Sequence, residues 1–125
     1  MMRTILLITI FILSNTLGRA QTTFGLTPDN EKIEAKAKEL TKKYNEQLAL
    51  RAKEYLLFQK KIEEYLHLAE DIKENYKGTE MLDRLYILQE EEIGEMHNIL
   101  TRIQWNLYKK IRPEIQPLAR VEIDK

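Results

Sequence analysis

The residues best suited to bind or transfer something in this 125-residue chain are two histidines and the carboxylates around one of them. His67 has Glu63 four positions before it, Glu70 three after it and Asp71 four after it, so a helix would gather all four on one side. An imidazole among carboxylates is a candidate weak zinc site. The plainer reading of the same spacing is a solvated charged face, and no other cofactor is expected. His97 has no acidic residue three or four positions away on either side, so a ligand role there would need a second helix. The carboxylate runs Glu63-Glu64 and Glu90-Glu91-Glu92 lack the pocket signature that tuned acid–base pairs require. Ser14 is the only serine, cysteine is absent and no glycine-rich phosphate loop occurs. These features read as a protein that is not an enzyme.

The compartment is read from the first twenty residues. Arg3 precedes an uncharged run over 4–17 whose apolar heart is 5–13, and Gly18 and Ala20 stand at −3 and −1 of a cut before Gln21. That is the build of a secretory signal. The apolar heart falls short of the roughly 20 residues a spanning helix needs, which argues against an uncleaved anchor. The expected product is a single exported domain, 21–125, periplasmic or secreted, with no stable membrane insertion after cleavage. Without cysteine it has no disulfide to support its core. The whole chain has 20 basic and 20 acidic side chains, and Arg3 and Arg19 are the only charges in the signal. The remainder therefore carries 18 against 20, a net of −2. Nucleic-acid binding, which needs a basic surplus, is not expected.

Two long apolar stripes dominate the chain after the signal. Ile33, Ala37, Leu40, Tyr44, Leu48, Ala52, Tyr55, Phe58, Ile62, Tyr65, Ala69, Ile72 and Tyr76 are spaced by threes and fours, which predicts one helix over about 28–77. Thr27 is a suitable N-cap, Pro28 suits the first helical position, and Gly78 stops the helix before Thr79 caps the next. Leu56, Leu57, Leu66 and Leu68 widen the stripe in its middle. The second stripe, Leu82, Leu85, Gln89, Ile93, Met96, Leu100, Ile103, Leu107 and Ile111, predicts a helix over about 79–112, with Pro113 opening an irregular tail over 113–125. The expected fold is all-α, a long antiparallel helical hairpin. A hairpin of that length cannot bury both stripes by itself, so either the first helix bends back or two chains pair as a homodimer; both together are also compatible. Gly94 weakens the second helix and reads equally as a tolerated flaw or as the mark of a closely approaching backbone.

Tyr44, Tyr55, Tyr65 and Tyr76 recur at steps of 11, 10 and 11 residues with Phe58 among them, a nearly straight ladder along the first helix. Aromatic rings at helical spacing are most simply core. The alternative is an amphipathic face that holds varied partners, since tyrosine combines apolar area with a polar tip.

Leu26-Thr27-Pro28-Asp29-Asn30 and Leu100-Thr101-Arg102-Ile103-Gln104 share the form Leu-Thr-x-x-amide, with Leu26, Thr27 and Asn30 answering to Leu100, Thr101 and Gln104. Thr followed three residues later by Gln has the form of a capping box. An exported, helical, cysteine-free chain with paired motifs of this kind resembles the Spy/CpxP family of periplasmic LTxxQ stress proteins and their metal-sensor relatives. The first motif departs in having Asn30 for Gln, and the second lacks the proline often found after Thr, which would let its helix run straight through. The resemblance implies a dimeric, ATP-independent chaperone of unfolded or envelope proteins, or a modulator of envelope-stress or metal sensing. The stretch 62–72 is also similar to the helical TrbJ- and VirB-type components of conjugative secretion systems, and a structural coiled-coil adaptor of the envelope would use the same stripes.

Overall fold

A computed structural model describes residues 28–118. The protein is all-α: among the described residues there are four helices and no strand, α1 Pro28–Leu48, α2 Ala52–Asn75, α3 Gly78–Met96 and α4 Arg102–Ile115. The signal-like segment, Leu26, Thr27 and residues 119–125 of the expected tail lie outside the described residues. The chain divides into two compact units after Lys32. Of the first, the described part is the opening turn of α1, where Asp29 and Glu31 place negative charge at the positive end of the helix dipole. The second unit, from Ile33 onward, holds the rest of the fold.

Each expected long helix is broken once. The first break falls at Ala49, which adopts φ +50, the left-handed region that an L residue enters at a cost of about 1–2 kcal/mol. Asn45 makes the turn possible: its carbonyl accepts from Ala49 N–H at 3.1 Å and its side-chain oxygen accepts from Leu50 N–H at 2.7 Å. Leu50 then turns in against the core, and the Glu54 carboxylate accepts from the Arg51 N–H at 3.0 Å to start α2. Ala, Leu and Arg are good helix formers, so local propensity favours a straight run. Burial of both halves of the stripe against each other outweighs it.

Glycine carries no Cβ penalty at such a φ. Ala49→Gly is therefore expected to raise folding stability by about 1 kcal/mol, read as a higher denaturant midpoint. A loss of stability would mean that Ala49 is not left-handed in solution.

The second break is built from tight turns. His97, Asn98 and Ile99 N–H groups reach carbonyls three residues back, at 3.2, 3.0 and 3.1 Å, and Thr101 is extended at φ −65, ψ 162. The motif at 100–104 thus opens a helix instead of lying within one. α4 continues past the expected end at 112 to Ile115, with Pro113 inside its last turn. Gly78 does mark the junction of α2 and α3, at φ +65, but α3 begins there, with Lys77 preceding it and Thr79 already in its first turn. Among the described residues no atom outside its own helix turn lies within 4 Å of where a Gly94 Cβ would stand, so none of their backbone closely approaches it.

The stripes meet in one core. Ala37, Leu40, Tyr44 and Leu48 of α1 pack with Phe58 and Ile62 of α2, Met96 and Leu100 around the α3–α4 turn, and Tyr108 and Ile111 of α4. At its centre Tyr44, Phe58 and Tyr108 form a triad with ring centroids 5.2, 5.3 and 5.8 Å apart, mostly edge to face. Such pairs contribute about 0.5–1.5 kcal/mol beyond the area they bury.

Candidate functional site

Gln104 shows how the second Leu-Thr motif acts. Its side-chain oxygen accepts from Thr101 N–H at 2.9 Å, and Thr101 Oγ1 accepts from Gln104 N–H at 3.3 Å, closing the capping box at the start of α4. The same side chain's nitrogen donates to the Leu48 carbonyl at 3.3 Å. That carbonyl ends α1 and has no partner within its own helix. One carboxamide therefore joins the start of α4 to the end of α1, a task that needs both a donor and an acceptor. Leu100, immediately before, is buried in the core.

Thr101→Ala is expected to cost about 1 kcal/mol. Gln104→Ala removes the bonds to Thr101 and to Leu48 and is expected to cost about 2 kcal/mol. Thermal unfolding of the two variants reads the difference. Equal losses would mean that the bond to Leu48 contributes nothing.

A buried polar cluster lies between α3 and α4. Glu92 Oε1 accepts from Tyr108 OH at 3.2 Å and from an Arg112 Nη2 donor at 3.4 Å, and Arg112 Nε donates to Tyr108 OH at 3.3 Å. Glu92 and Arg112 are both buried. Burial raises the Glu92 carboxyl above its ordinary range, although the Arg112 charge and the hydrogen bonds from Tyr108 and Arg112 pull it back. Burial likewise pushes the Tyr108 and Tyr44 hydroxyls upward, so both remain protonated donors. The Tyr44 hydroxyl donates to Gln116 Oε1 at 2.7 Å, tying α1 to the residue that follows α4.

A groove of about 300 Å³ opens beside this cluster, with Lys36 and Leu40 of α1, Leu66 and Lys73 of α2, and Glu92 and Arg112 along it. The cluster was hidden in the carboxylate run 90–92. Its signal was positional: Glu92 stands seven residues after Leu85 and four before Met96, on the core line of α3, while Glu91 next to it is exposed.

The sequence candidates fare unevenly. Of the aromatic ladder, Tyr44, Phe58 and Tyr65 are buried, and Tyr55 and Tyr76 are half-buried. The break at 49–51 divides the ladder, and Tyr44 and Phe58 belong to the core. Tyr76 is covered by Arg84, whose guanidinium carbon lies 3.8 Å from the ring centroid.

Exposed apolar side chains occur elsewhere: Leu56 is 62% exposed, Tyr86 53%, Ile87 58% and Ile103 82%. His67 and Glu63 are half-buried while Glu70 and Asp71 are exposed. Among the described residues no three His, Asp or Glu side chains stand together as metal ligands. His97 instead meets the Trp105 ring edge to face at 4.7 Å, and Lys109 covers that ring at 3.5 Å.

No helix among the described residues is long and apolar enough to cross a membrane. No protein-family model matches this chain, and neither does any curated protein or solved structure.

Proposed function

We propose that the protein, once exported, holds unfolded envelope proteins on its helical surface and suppresses their aggregation without nucleotide. The observation that carries this reading is the set of large apolar side chains left in solvent on α2, α3 and α4, above all Leu56, Ile87 and Ile103. Single exposed apolar residues are ordinary. Here they lie among charged side chains, mixed Lys and Glu on α2, mostly acidic on α3 and mostly basic on α4, a surface suited to many weak and varied contacts. The signal-like start and the paired Leu-Thr motifs support the same reading. At a net charge of −2 without the signal-like segment, long-range steering contributes little.

Pairing with a second copy is part of the proposal. The folds at 49–51 and 97–101 let one chain cover its own stripes, so the exposed apolar residues alone motivate it. Light scattering of the purified protein at micromolar concentration is expected to give twice the monomer mass.

The functional test is aggregation of a denatured client, monitored by turbidity without ATP. Stoichiometric protein is expected to suppress it, and Leu56→Ser with Ile103→Ser to weaken suppression while helicity is unchanged. If aggregation proceeds unaltered at several-fold molar excess, the reading fails and a secretion component or envelope adaptor takes its place.

A further inference from the structure

We propose that the groove beside the Glu92–Arg112 pair binds a small amphipathic carboxylate of the fatty-acid class, its chain against the apolar walls and its head among Lys36, Lys73 and Arg112. The site is independent of the client-holding surface and uses none of its exposed residues. All four helices contribute apolar wall, through Leu40, Leu66, Ala69, Leu85, Leu88 and Ile115. At about 300 Å³ the groove is at the lower end of small-molecule sites, which are typically apolar with a few convergent polar groups.

The charge of the lining selects the head group. Three cations, one each from α1, α2 and α4, face a single carboxylate, a local net of +2 in a chain that is −2 without its signal segment. That carboxylate, Glu92, is already engaged by Arg112 and Tyr108. Lys73 keeps only a solvent-exposed contact with Glu70 at 3.5 Å, and Lys36 has no ion-pair partner among the described residues. A ligand carboxylate supplies the missing counter-charge, and an alkyl chain displaces water from the leucine walls.

Titration calorimetry of the purified protein with dodecanoate, below the concentration at which it forms micelles, tests this. The expected result is saturable one-to-one binding, with dodecanol binding about tenfold more weakly for want of the charge. Replacing Lys36 and Lys73 together by Ala is expected to weaken dodecanoate by about the same factor and leave dodecanol unaffected. Ala69→Phe, which fills the groove, is expected to abolish binding of both at unchanged helicity. Because the two lysines are exposed, their variant keeps its fold and decides the question even if Ala69→Phe does not fold. No saturable binding, equal binding of dodecanoate and dodecanol, or dodecanoate affinity unchanged in the lysine variant would each overturn the proposal. Tighter binding of dodecyl phosphate than of dodecanoate would also overturn it, in favour of a phosphorylated head.

Discussion

Glu92→Ala is expected to cost about 3–5 kcal/mol of folding stability, because it leaves the Arg112 guanidinium buried with no counter-ion. Removing both partners has the opposite result. Glu92→Leu with Arg112→Met, combined with Tyr108→Phe to remove the hydroxyl that both of them bind, deletes the charges and their buried partner at once, fills similar volume, and is expected to fold at least as stably as the parent. Denaturant unfolding of the three proteins separates the cases. If the triple variant is as weak as the single one, the cluster contributes through shape and not through its charges.

The pair also gives a pH dependence with a definite sign. The Glu92 carboxyl is raised in the folded state, chiefly by burial, so between the ordinary value of 4.5 and the raised one the folded state binds more protons than the unfolded. Across that window the contribution of Glu92 to stability falls as pH rises. Glu95 acts in the opposite sense, since its hydrogen bond from Lys61, seconded by Tyr65, lowers its carboxyl. Its contribution is present above 4.5 and is lost as pH falls through the depressed value. Glu92→Gln should abolish the first slope and leave the second.

The second large effect is expected at the aromatic triad. Phe58 is fully buried between Tyr44 and Tyr108, and Phe58→Ala is expected to destabilise the fold by about 3–5 kcal/mol through lost transfer energy and the cavity left behind. Tyr44→Phe keeps the packing and loses only the bond to Gln116, for about 1 kcal/mol. Thermal unfolding monitored by circular dichroism measures both. A triad that served as a binding face would behave differently: Phe58→Ala would then change stability by less than about 0.5 kcal/mol, as surface substitutions do. This is also why client-holding is probed at Leu56 and Ile103, where side chains can change without touching the core.

Some of this architecture is local and therefore readable from the chain. Spacing by threes and fours makes each segment helical because it alone puts Leu40, Tyr44 and Leu48, or Phe58, Ile62 and Tyr65, on one side. Gly78 marks a junction because a positive φ costs glycine nothing. Thr101 and Gln104 form a capping box because the exchange needs only atoms three residues apart.

The breaks at Ala49 and at 97–100 are different. Nothing in Leu48-Ala49-Leu50-Arg51 disfavours helix, and only the burial of α1, α2 and α4 on one another makes a left-handed alanine worthwhile. The fate of the ladder depends on that fold: on one straight helix its rings would share a surface, while on helices that turn back Tyr44 and Phe58 become core. The second bond of Gln104, the meeting of Glu92 with Arg112 and the placing of Lys36 and Lys73 along one groove span 56, 20 and 37 positions of sequence. Periodicity specifies which side of a helix is apolar. It carries no information about which other helix faces that side, so the groove, its charge and the buried ion pair were decided by tertiary packing alone.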